Sequence, residues 1–116
     1  MKASMLLVLA AGFLFLPVAL AQDPVKVAPK NFKVLAEDDR VRVIEFTAKK
    51  GEKIPMHSHP AIVVYIIEAG KTKFTLADGR VIEADNKPGD AFIREPVTHA
   101  HEHLSDTRAI VVELKK

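Results

Sequence analysis

Apolar and polar residues alternate along this chain in short bursts. Residues 40–46 read Arg-Val-Arg-Val-Ile-Glu-Phe, residues 71–76 read Lys-Thr-Lys-Phe-Thr-Leu, and residues 107–114 close on Thr-Arg-Ala-Ile-Val-Val-Glu-Leu. A period of two belongs to a strand with one buried face. Residues 62–67, Ile-Val-Val-Tyr-Ile-Ile, form an apolar, β-branched run and predict another strand. Shorter strands are expected at 80–84, 91–93 and 97–103, with one starting at Val34 and Leu35. Turn chemistry separates them: Glu37-Asp38-Asp39, Lys49-Lys50-Gly51-Glu52, Glu68-Ala69-Gly70, Ala77-Asp78-Gly79, Lys87-Pro88-Gly89-Asp90 and Leu104-Ser105-Asp106. Gly79 stands where a tight hairpin needs a positive φ. After residue 21 no stretch holds a helical period for three turns. Short strands at spacings of roughly 8–12 residues predict an all-β fold, a small antiparallel β-barrel or sandwich. An edge strand in so small a sheet protein is expected to pair with a second copy, giving a homodimer.

The first 21 residues follow a different rule. Lys2 precedes an apolar run from Met5 to Leu16, Pro17 interrupts it, and Ala19-Leu20-Ala21 forms a small-residue cleavage pattern. This predicts a secretory leader over residues 1–21, cut after Ala21, with no stable membrane anchor afterwards. The expected location is the periplasm or the exterior. Residues 22–39 then form an arm with Pro24, Pro29 and the first short strand, and residues 40–114 form the barrel domain.

The chain has 116 residues, enough for one domain. Its net charge of +2 comes without a block of like charges, which argues against nucleic acid as a partner. It has no cysteine, which excludes disulfides, a cysteine nucleophile, thiolate-bound zinc and iron–sulfur clusters. A metal would have to sit on imidazole, carboxylate or backbone oxygen.

The chemistry lies in the five histidines. His57 and His59 are two apart, and His99, His101 and His103 repeat that spacing. Residues two apart on a strand share a face, so each cluster presents its imidazoles together. A His-x-His pair alone reads more readily as a solvated strand edge or a half-buried pair without metal. Two such clusters joined by a sheet crossover favour one divalent transition metal: iron or zinc first, with manganese, copper and nickel as other candidates. Neutral imidazole nitrogen is the donor, so binding weakens as histidine protonates.

These residues resemble the cupin superfamily. Its first motif is a glycine, five residues, His-x-His, three or four residues, a glutamate, six residues and a glycine. Gly51, His57, His59 and Gly70 fall on that pattern. In the second motif His99 falls on the metal-ligand histidine and His103 on the usual asparagine, and Pro88-Gly89-Asp90 supplies the turn before it. The resemblance implies a jelly-roll barrel, often dimeric, with a metal inside on three histidines and a glutamate. Three departures stand out. The glutamate position is Val63 or Val64, the Pro-x-Gly position reads Arg94-Glu95-Pro96, and His101 is added.

The resemblance therefore implies His57, His59 and His99 as ligands. Successive inward side chains lie roughly 6–7 Å apart along a strand. His101 is a candidate to replace the missing carboxylate, and His103 is expected to line the cavity or take a proton. Tyr65 shares the parity of His57, His59 and Val63, so its hydroxyl is expected in the same cavity, beside His103 as a catalytic candidate. Glu68 and Glu102 are expected to face solvent, and Met56 to pack in a loop. Arg94 and Glu95, near the barrel mouth, read either as a guide for an anionic ligand or as solvated charges. Two functions lead, ahead of a structural barrel with an empty pocket, which the doubled histidine clusters disfavour. One is a metal-dependent enzyme acting on a small organic molecule, resembling three-histidine thiol and diketone-cleaving dioxygenases. The other is a non-catalytic metal or small-ligand binder.

Overall fold

The computed structural model describes residues 22–116, so the leader expected over 1–21 lies outside the described residues. Among them, one turn of helix, α1 (Pro24–Val27), precedes nine strands: β1 (Phe32–Glu37), β2 (Val41–Ala48), β3 (Lys53–His59), β4 (Ile62–Glu68), β5 (Lys71–Leu76), β6 (Val81–Asp85), β7 (Ala91–Arg94), β8 (Val97–His103) and β9 (Thr107–Leu114). None of the described helix is long and apolar enough to cross a membrane. The helical turn lies in the arm, where Asp23 caps it by accepting from the Val25 amide and Pro24 takes the first helical position.

The strands form two antiparallel sheets, ordered β1-β2-β9-β4-β7 and β3-β8-β5-β6. This is the jelly-roll architecture that the alternation predicts. The strands over 71–76, 97–103 and 107–114 begin and end where the pattern places them. Gly79, at φ +93°, makes the β5–β6 hairpin turn. β1, the first short strand expected within residues 22–39, is an edge of the five-stranded sheet. It places Phe32 opposite Phe46 of β2, with ring centroids 4.8 Å apart.

Two local features set which side chains point inward. The first is a bulge in β3. Ile54 pairs with His101 and His57 pairs with His99, so one extra residue lies between them, at Pro55 and Met56. Pro55 has no amide to offer a ladder, which makes the bulge a natural place for it. Both Ile54 and His57 are consequently buried although they are three apart.

The second feature is the corner at Pro60 and Ala61. β3 belongs to one sheet and β4 to the other, and these two residues carry the chain across. The corner resets the alternation, so that Ile62, Val64 and Ile66 point in, while Tyr65 points out and is 50% exposed. Ile44, Phe46, Ala109 and Val111 complete the apolar side of the interior. At the base of the barrel, a Cβ on Gly70 would fall on the Ser105 side chain, so this close approach requires glycine.

Ile44 is fully buried and Ile93 is 75% exposed. Ile44→Ala is expected to cost roughly 2–5 kcal/mol in urea unfolding, and Ile93→Ala no more than about 0.5 kcal/mol. Equal losses would contradict the inward–outward assignment of the five-stranded sheet.

Candidate metal centre

β3 and β8 are neighbours in one sheet, and their register sets His57 directly opposite His99. Inward parity then carries His59 on β3, and His101 and His103 on β8, into the same interior. All five imidazoles are buried. His57 stands centrally, with its ring centroid 4.8 Å from His59, 4.9 Å from His99 and 5.2 Å from His101. One ligating nitrogen from each of His57, His99 and His101 can be chosen so that all lie within 4.8 Å of one another. That spacing suits three ligands around a single ion.

Hydrogen bonds fix which nitrogens are free. His57 Nδ1 lies 2.7 Å from the Pro55 carbonyl oxygen. A carbonyl only accepts, so Nδ1 carries the hydrogen and Nε2 keeps its lone pair. His57 Nε2 is buried with no hydrogen-bond partner among the described residues, and so is His99 Nδ1. A buried polar nitrogen left unsatisfied is costly, and a metal ion removes that cost.

The other two strings of bonds run outward from the centre. The Thr107 hydroxyl donates to the Ser105 carbonyl at 3.2 Å and therefore accepts from His103 Nδ1 at 3.0 Å. His103 Nε2 is then bare and accepts from His101 Nδ1 at 2.7 Å, which leaves His101 Nε2 bare in turn. On the opposite side, His59 Nδ1 donates to Glu113 Oε2 at 3.0 Å. Arg42 binds the other oxygen of Glu113 and also Asp23. The Ser58 amide donates to the Gln22 carbonyl at 2.8 Å, tying the start of the described chain to the same place.

Four of the rings, His57, His99, His101 and His103, are held neutral mainly by desolvation. Burial pushes His57 down to about 4, with the neighbouring His59 adding to the effect. Burial likewise takes His99 to about 3 and His103 to about 4. His101 is driven well below the ordinary histidine value by burial and by the imidazoles around it. The desolvating walls are aromatic: Phe74 stacks on His99 at 5.0 Å, Phe46 lies against His101 and His103, and Phe32 meets His57 and His59.

A cavity of about 80 Å³ opens beside these rings. It is lined by His59, His99, His101 and His103, but not by Tyr65. The shared parity expected for Tyr65 fails at the Pro60–Ala61 corner, and its side chain stands on the outer face, across from Ile110 and Ala91. The same corner makes Val64, not Val63, the inward residue at the position where the motif has glutamate. Glu68 is exposed as expected, and Glu102 alternates outward between Lys53 and Lys73. The close group of ligating nitrogens comprises His57, His99 and His101, although the His59 ring is the nearer of the two to His57. His59 stands 5.5 Å from His99 between ring centroids, turned toward Glu113.

Glu113 is the residue that the sequence reading missed. It is 4% exposed, a carboxylate in line with the inward Ala109 and Val111 of β9. That acidic residue on an apolar stripe was a readable signal.

Residues 44–115 match the family described as Cupin domain. No curated protein matches the chain. Among solved structures, the chain is similar to a cupin domain from Bordetella pertussis Tohama I, with 22% identity and a TM-score of 0.67 over 73% of this chain and 92% of that one. It is similar to a cupin superfamily protein from Desulfitobacterium hafniense DCB-2, with 21% identity and a TM-score of 0.57 over 73% and 76%. It is also similar to a conserved protein with a double-stranded β-helix domain from Klebsiella pneumoniae, with 21% identity and a TM-score of 0.59 over 72% and 70%. At these identities the likeness concerns the fold.

Two outcomes follow from the geometry. The folded values of His57, His99 and His103 lie below the ordinary histidine value of 6.5. Between pH 6.5 and about 4 the unfolded chain takes up protons that the folded protein refuses. The melting temperature of the metal-free protein is therefore expected to fall on acidification from pH 7 to 5, and a flat profile would contradict neutral burial. Glu113→Gln keeps the shape but removes the charge behind His59. Metal affinity by competition with a chelator is expected to drop about 10-fold or more, and an unchanged affinity would leave Glu113 a purely structural role.

Proposed function

The chain belongs to the cupin domain family, and we propose that it holds one divalent transition metal on its buried imidazoles and presents it to a small organic molecule in the adjoining cavity. The observation that carries this is the bare, buried Nε2 of His57 within reach of His99 and His101. The donor set is all imidazole, which suits iron and zinc first and accepts manganese, copper or nickel. Bound there, the ion would act as a Lewis acid and orient the oxygen atoms of a ligand. His57, His99 and His101 would hold it, and His59, backed by Glu113, would stand as a fourth donor. The aromatic walls exclude water, and the Thr107–His103–His101 string fixes the ring of His101.

Turnover is a second reading, favoured by His103. This buried neutral imidazole lines the cavity and connects through hydrogen bonds to the metal-facing His101. On that reading it would hold a proton during a dioxygenase-like reaction on a small substrate. Export to the periplasm or beyond, and assembly as a homodimer, belong to this proposal on the strength of the leader-like residues 1–21 and the edge strands of a small sheet protein.

Metal analysis of the protein prepared without a histidine tag or chelator tests the proposal. About one ion per chain is expected, the stoichiometry of a single structured site. His57→Ala, His99→Ala and His101→Ala are each expected to reduce it to well under half, while His103→Ala retains part and Tyr65→Phe retains all. Equal occupancy in the wild type and His57→Ala would overturn the site. Oxygen uptake on adding a small thiol or diketone to the iron-loaded protein would select the catalytic reading.

A further inference from the structure

The five arginines among the described residues are not alike. Arg40 pairs with Asp38, Arg42 with Asp23 and Glu113, Arg80 with Asp78, and Arg108 with Glu45. Arg94 has neither an ion pair nor a side-chain hydrogen bond among the described residues. Yet it is one of the less exposed of the set. On β7 the outward positions are Ala91 and Ile93, both exposed, so Phe92 and Arg94 turn toward the interior. Arg94 sits across from the buried Ile62. Its guanidinium carbon lies 5.2 Å from the centre of the Phe92 ring and 5.6 Å from that of Phe74. Phe74 in turn stacks on His99.

Arg94 thus lines the same cavity as the imidazoles, and no acidic residue lines it with them. A partly desolvated cation without a counter-charge is costly, and a sequence that keeps one inward-facing leaves a charge for a ligand to meet. The guanidinium stays charged despite its burial, and its flat fork of donors matches a carboxylate. The two phenyl faces hold the fork in place. The other charge near the centre, Glu113, is already committed to Arg42 and His59. Val64 stands where a ligand carboxylate would otherwise offset the ion. The cavity of about 80 Å³ beside the imidazoles has room for a small molecule.

We propose that the cavity selects a small carboxylate, with its anionic end anchored by Arg94 and a second oxygen directed toward the imidazole cluster. This rests on the metal-binding reading above and adds the class of molecule that the metal meets.

Calorimetric titration with glycolate, and with its neutral counterpart glycolamide, tests the proposal on the metal-loaded and the metal-free protein. Metal content is measured in parallel, so that failure of the metal site is seen separately. The expected result is that glycolate binds, glycolamide does not, and R94Q weakens glycolate at least ten-fold while keeping its metal. R94K, which retains the charge without the fork, recovers part of the affinity, and E95Q on the exposed neighbour changes nothing. In the metal-free protein a weaker binding that still depends on Arg94 is expected. Equal affinity of the wild type and R94Q for glycolate, or glycolamide binding as well as glycolate, would overturn the assignment. Inorganic phosphate binding as tightly as glycolate would overturn the carboxylate class.

Discussion

Everything at the centre of this barrel depends on keeping water away from five neighbouring imidazoles. In water, rings this close would exchange protons freely near neutral pH and repel one another when charged. Inside the barrel the charged form is too costly for His57, His99, His101 and His103, which remain neutral donors. The phenyl groups of Phe32, Phe46 and Phe74 accomplish this without offering any competing hydrogen bond. Three strands, β1, β2 and β5, are thereby tied to the chemistry although they contribute no ligand.

Much of this was legible in the sequence, for reasons that differ from element to element. The strands of 71–76, 97–103 and 107–114 follow from local alternation alone, because each is half-buried and bounded by turn residues. The convergence of the two histidine clusters follows from parity plus an antiparallel pairing. What parity could not deliver lies past a bulge or a corner. An extra residue at Pro55–Met56 buries Ile54 as well as His57, and the change of sheet at Pro60–Ala61 sends Tyr65 outward and Val64 inward. Counting residues across such points assumes a straight strand, and the chain is not straight there.

The finer ranking of ligands was beyond reach for another reason. The motif implies His59 as a ligand and His101 only as a substitute, whereas the close nitrogen group contains His101. The difference between them is made by partners distant in the chain: Glu113, 54 residues on, draws His59 aside. The result redistributes charge compared with the family pattern that the histidines resemble. The carboxylate is absent from the interior position, Val64, and a different one sits behind a histidine, shared with Arg42. A ligand carboxylate would lower the charge of an ion directly, whereas Glu113 acts through the His59 ring and leaves a bound ion more exposed to an incoming anion.

The bridge through Arg42 has a consequence for how the domain can be rebuilt. Asp23, near one end of the described chain, and Glu113, near the other, meet on a single guanidinium. The two ends are therefore neighbours in space. A short linker can join them, and new termini can be opened at the exposed Asp78–Gly79 turn, on the hairpin of the other sheet. The barrel has the geometry of a cassette, suited to circular permutation or to insertion into a loop of a host protein with its imidazole centre intact.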